Sequence, residues 1–102
     1  MDGFDEVRVD LGRVALNVAQ SGEGEPLLLL HGYPQTHLAW SKVAPAFAER
    51  FHVIAPDLRG YGASDAPPDD ADHTAYSKRT MAEDVVALLD QLGISAANVL
   101  GH

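Results

Sequence analysis

Three short apolar runs without alternation, Leu27–Leu30, Val53–Ala55 and Val99–Gly101, limit what this chain can fold into more than any other feature. A strand with one wet face alternates apolar and polar residues. A run that does not alternate buries both faces, as strands of a helix-covered parallel sheet do. Helical patterns separate the three runs. Residues 37–50 read as helical, with Leu38, Trp40, Val43 and Phe47 able to share a face. Pro45 either opens the main helix at its first turn or kinks it. Met81, Val85, Leu88, Leu89 and Leu92 recur at helical spacing in a second, stronger segment. Thr80-x-x-Glu83 offers a capping box there, Ser77 is a rival N-cap, and Gly93 supplies the C-cap. Ahead of these, Val7–Asp10 and Val14–Ala19 alternate around Leu11-Gly12-Arg13 as an antiparallel hairpin. Residues 21–26 are a turn.

The predicted order is a hairpin followed by β-α-β-α-β, an α/β fold. Strands joined through helices are parallel, and such crossovers are right-handed. The expected parallel core has Val99–Gly101 in its middle position.

The 102 residues bound the chain to one small domain. With no run near 18 apolar residues, no transmembrane helix is predicted, and the acidic start shows no signal peptide. Cys is absent, which fits a cytoplasmic setting. Net charge is −8, from fifteen Asp and Glu against seven Lys and Arg. No basic stripe exists, so neither nucleic acid nor an anionic membrane is an expected partner. The expected partner is a small-molecule substrate, and the composition leaves room for a homodimer.

In an open α/β sheet, function sits at the carboxyl ends of the strands. The unusual residues fall there. His31-Gly32-Tyr33-Pro34 follows the Leu27–Leu30 run directly. Gly32 lets the backbone turn, and the amide of Tyr33 can then point at a developing oxyanion. Asn98-Val99-Leu100-Gly101-His102 reads as a strand running into the first Gly of a nucleophile elbow, G-x-nucleophile-x-G, which would supply the second amide. The candidate site is therefore Tyr33 through its backbone amide, with His31, Gly32 and Trp40 at the substrate. The ring of His31 is read as a tie for the loop rather than a catalytic base, and Trp40 serves equally as pocket wall or core. Asp57-Leu58-Arg59-Gly60-Tyr61-Gly62 lacks the Gly-Lys-Ser/Thr ending of a phosphate loop, so Asp57 and Arg59 are read as an ion pair or turn brace, with catalysis by Asp57 the minor option. Lys78-Arg79 reads as a solvated pair. The remaining histidines, His37, His52, His73 and His102, show no metal-ligand spacing; no metal or cofactor is predicted.

These segments together resemble the α/β-hydrolase family. Within it, His31-Gly32-Tyr33-Pro34-Gln35-Thr36-His37 with Trp40, Asp57–Gly62 and residues 73–82 are most similar to haloacetate (fluoroacetate) dehalogenases. Epoxide hydrolases and many esterases share the first two blocks. The resemblance makes residues 1–102 the N-terminal portion of a hydrolase core domain. It implies an aspartate nucleophile after Gly-His that displaces halide, a His–Asp pair that activates water, arginines that hold the substrate carboxylate, and a halide-binding cap. All of these fall beyond His102, and only the Tyr33 amide carries over. The expectations are hydrolytic dehalogenation by a longer protein, with an epoxide hydrolase or serine esterase as alternatives, and no turnover by residues 1–102 alone. A short non-catalytic chain of the same fold is the alternative of another class; an end inside a buried strand argues against it.

Overall fold

The computed structural model describes residues 3–30, 40–60, 62, 64–66 and 78–101. Its elements are β1 (Asp5–Asp10), β2 (Ala15–Ser21), β3 (Glu25–Leu30), α1 (Ala44–Phe47), β4 (Phe51–Pro56), α2 (Lys78–Gln91) and β5 (Asn98–Gly101). The five strands form one sheet in the order β1-β2-β4-β3-β5. β1 and β2 are the expected antiparallel hairpin, β2 continues antiparallel onto β4, and β3 is parallel to both β4 and β5.

The first two apolar runs bury both faces, as their lack of alternation requires, whereas Val99–Gly101, expected to be buried too, is exposed along β5. Leu27, Leu29, Val53 and Ala55 point to one side, where Trp40 and Ala44 cover them. Leu28 and Ile54 point to the other, where they meet Leu88 of α2 together with Leu16 and Val18 of the hairpin. Val85, Leu89, Leu92 and Ile94 pack around the second cluster. The two crossovers thus lie on opposite faces, because the chain steps from β3 to β4 in one direction and returns past β3 to reach β5.

That return corrects the expected strand order. β3, not Val99–Gly101, is the middle of the three parallel strands, and β5 lies at the edge among the described strands. Burial on both faces reports what covers a strand from above and below. It carries no information about which strands lie beside it. Exposure follows the observed order: Leu29 is fully buried, whereas Val99 is 60% exposed.

The first helical segment is shorter than its pattern suggests. Only Ala44–Phe47 is α-helical, with turns on either side, and residues 37–39 lie outside the described residues. Pro45 opens this helix near its start rather than kinking it. Lacking an N–H, it cannot bond back to the preceding turn. Val43, expected on the apolar face, is exposed, while Ala44 is buried in its place.

α2 runs from Lys78, so Thr80 is inside the first turn and not at a cap. Ser77 lies outside the described residues. The helix ends as expected at Gly93, whose φ of 72° suits glycine. There the Ile94 amide donates to the Leu89 carbonyl at 2.9 Å and the Gly93 amide to Asp90 at 3.1 Å. No helix among the described residues is long and apolar enough to cross a membrane.

Leu88 is fully buried where α2 meets the sheet. Truncating such a residue costs its transfer free energy plus the cavity left behind, so Leu88→Ala should cost about 2–5 kcal/mol. Urea unfolding of the full-length protein should show this as a lower midpoint with an unchanged slope.

Candidate functional site

The three parallel strands end in a row. Leu30 pairs with Gly101 across β3 and β5, and Leu28 pairs with Ile54 across β3 and β4. Counting on from that register puts Leu30 level with Pro56. The next residues in sequence are His31, His102 and Asp57. The sheet thus brings to one edge the three strand ends that lead into those positions. His31, Gly32, Tyr33 and His102 themselves lie outside the described residues. Trp40 is described: it is 8% exposed and packs in the core cluster with Leu27, Leu29 and Ala44.

The loop after β4 is accounted for group by group. Beyond Val18, β4 no longer runs beside β2, and the loop completes the ladder instead. The Asp57 amide donates to the Asn17 carbonyl at 2.8 Å, and the Asn17 amide donates to Ser64 Oγ at 2.8 Å. The Asp65 amide donates to the Ala15 carbonyl, and the Ala15 amide returns a bond to Asp65 Oδ2, both at 2.9 Å. Ser64 Oγ also donates to the Asp57 carbonyl, and the Gly60 amide donates to the Asp65 carbonyl at 2.8 Å. Asp57 is fully buried and accepts from Asn17 Nδ2 at 3.3 Å. Gly62 closes over it so tightly that a Cβ there would sit 2.4 Å from the Asp57 carboxyl carbon, at a φ of +53°. Among the described residues Asp57 is buried and acts as a turn brace.

Arg59 makes its ion pair with a residue absent from the sequence reading. Its Nε and Nη2 donate to the two oxygens of Asp84 on α2, at 2.6 and 2.8 Å. Both side chains are buried. Arg13, in the hairpin turn, adds a bond from Nε to Asp84 Oδ1 at 3.1 Å and one from Nη1 to Glu83 at 3.1 Å. One carboxylate thus joins the hairpin turn, the β4 loop and α2. Breaking such a buried pair by removing one partner typically costs about 3–5 kcal/mol. The exposed Arg8–Asp65 pair is worth at most about 1 kcal/mol by contrast. Asp84 did leave a signal: it lies four residues before Leu88, on the apolar side of α2, where an acid requires a partner. Arg79 is 91% exposed, as expected of a solvated cation, and faces Glu83 one turn on. Among the described residues no group of three or more His, Cys, Asp or Glu could hold a metal ion.

Comparison with known proteins assigns this arrangement of strands and crossovers to a family. The family model for the alpha/beta hydrolase fold covers residues 25–102. The chain belongs to the α/β-hydrolase fold family. It is 44% identical over 101 residues to a fluoroacetate dehalogenase from Burkholderia sp., covering 99% of this chain and 33% of that protein. It is 48% identical over 87 residues to a soluble epoxide hydrolase from Corynebacterium sp. (strain C12), covering 85% of this chain and 29% of that protein. A crystal structure from Salmonella enterica, provisionally named an acyltransferase, superposes with a TM-score of 0.97 at 51% identity, covering 100% of this chain and 34% of that one. The chain spans about a third of the length of the relatives it matches. Those relatives include both dehalogenases and epoxide hydrolases, so membership shows a hydrolase family and not one substrate.

A side chain at residue 62 would have to displace the buried Asp57 carboxylate and adopt a strained backbone. Gly62→Ala should therefore cost about 2 kcal/mol or more, the sum of the strain and a disturbed buried hydrogen bond. A fall in Tm exceeding that of Gly12→Ala, whose added Cβ meets nothing within 4 Å, is the measurement.

Proposed function

We propose that the full-length protein hydrolyses a small haloacid, such as fluoroacetate or chloroacetate, through an aspartyl-ester intermediate. The observation that carries this reading is the row of strand ends at Leu30, Pro56 and Gly101, each followed in sequence by a family motif. The 44% identity to a fluoroacetate dehalogenase over nearly the whole chain supports the haloacid, as does the resemblance in Gln35-Thr36-His37. Soluble epoxide hydrolysis is the second reading, favoured by the 48% identity to that relative.

In the proposed reaction an aspartate at the elbow following Gly101-His102 attacks the carbon bearing the halogen. The carbon–halogen bond breaks, halide leaves, and an ester forms. Water then adds to the ester carbonyl. The Tyr33 amide donates to the oxyanion of that step, and collapse releases the 2-hydroxy acid and restores the aspartate. His31 and Gly32 shape the loop and Trp40 backs it. The reading needs no metal or organic cofactor, and takes the enzyme as cytoplasmic and able to form a homodimer. Residues 1–102 alone, without an acid, base or nucleophile, are proposed to be inactive.

Halide release from haloacetates, assayed beside styrene oxide and a nitrophenyl ester, tests the substrate. Halide release is expected; hydrolysis of the epoxide or ester without it would defeat the dehalogenase reading and leave the hydrolase family. The role of Tyr33 is tested separately. Loss of one oxyanion donor costs about a hundredfold or more in rate, but Tyr33→Phe keeps the amide, so kcat should stay within about tenfold. A fall of several thousandfold with the fold intact would assign the chemistry to the hydroxyl.

A further inference from the structure

We propose that Asp84 is a positioning residue for the catalytic edge, acting through Arg59. The proposal rests on the reading of that edge as the oxyanion side of a hydrolase site. Arg59 lies three residues past Pro56, and Pro56 is level with Leu30, the last residue before the Tyr33 segment. The β4 loop is therefore the lateral neighbour of the strand end that leads to the proposed oxyanion donor. Two sets of contacts among the described residues tie that loop to its neighbours. On one side, Ser64 and Asp65 hook it to β2. On the other, the Arg59 fork closes on Asp84, which is 1% exposed.

Three features distinguish this clamp from an ordinary ion pair. Both oxygens of Asp84 are engaged by one guanidinium, which fixes orientation as well as distance. Its second cation, Arg13, comes from the β1–β2 turn; since Val18 pairs with Pro56, that turn lies at the same edge. And α2 is the crossover that delivers β5, whose end stands beside Leu30. One buried carboxylate thus sets the separation of the β4 loop from the helix that leads to the next strand of the site. Displacement of a reacting group by about 1 Å can cost on the order of a hundredfold in rate, so slack in this clamp is felt as kcat rather than as substrate affinity.

The test uses the full-length enzyme on whichever of the three substrates above the wild type turns over. Asp84→Asn should lower kcat by about ten- to a hundredfold, with KM within about threefold, at a temperature where circular dichroism shows the variant folded. Asp84→Glu, which keeps the charge, should recover part of the loss. Leu88→Ala, one turn further along the same buried face and outside the clamp, should lower Tm comparably yet leave kcat within about threefold. If Asp84→Asn does not fold, Arg59→Lys carries the test. It keeps the charge and removes the fork, and the same fall in kcat is expected. A kcat within threefold of wild type in the folded clamp variant, or an equal fall in Leu88→Ala, overturns the proposal and leaves Asp84 a structural residue. A wild type that turns over none of the three substrates overturns the functional reading, and this inference with it, before any variant is compared.

Discussion

The structure depends on β3 being apolar on both faces. Leu27 and Leu29 need Trp40 and Ala44 above them, and Leu28 needs α2 and Leu88 below. Neither demand can be met by one crossover, so the two helical connections are placed on opposite sides of the sheet. With right-handed crossovers, opposite sides mean opposite directions of travel: outward to β4, then back past β3 to β5. The level strand ends follow from that reversal. In open α/β sheets the reversal point is where a crevice opens between diverging connections, and the ends of β3, β4 and β5 lie there.

Polar interactions play a different part. The two apolar clusters set which faces meet, but they would tolerate small slides of loop against helix. The buried polar groups do not. Asp57, Arg59, Ser64 and Asp84 are all buried, and each makes a hydrogen bond that a slide of loop against helix or strand would lengthen. Leaving any of them unpaired would cost more than the bond contributes, so the arrangement is selected by its alternatives as much as by its own strength.

Much of this was legible in the sequence. Period-two patterning located the hairpin, unbroken apolar runs located the three parallel strands though only β3 and β4 are buried, and Gly93 marked the end of α2. The motifs at the strand ends pointed to the family that comparison shows. What was not legible has a common cause. The middle position of β3 is a lateral relation, and side-chain patterns report only what lies above and below. The Arg59–Asp84 pair spans 25 residues, and nothing local in Asp57-Leu58-Arg59 points to Asp84. Of the helical pattern over residues 37–50, the described part is α-helical only at Ala44–Phe47, opened by Pro45, because apolar spacing does not mark where a short helix gives way to turns. The oxyanion segment, His31 to Tyr33, lies outside the described residues, so its reading stands on the sequence and on the strand that leads to it.

The loop that finishes the β2 ladder carries a consequence for how such a chain can vary. After Asp57 the chain leaves the sheet, Gly62 closes over the Asp57 carboxylate, and Ser64 and Asp65 meet Asn17 and Ala15 at fixed positions. Its two contacts with β2 are set by a strand whose spacing cannot stretch. A residue added or lost between them would shift Ser64 and Asp65 off their partners together and turn Gly62 away from Asp57. Individual residues that do not hold these bonds can be exchanged. A change in the number of residues between the anchors would disturb both at once, whereas an exchange of such a residue disturbs neither.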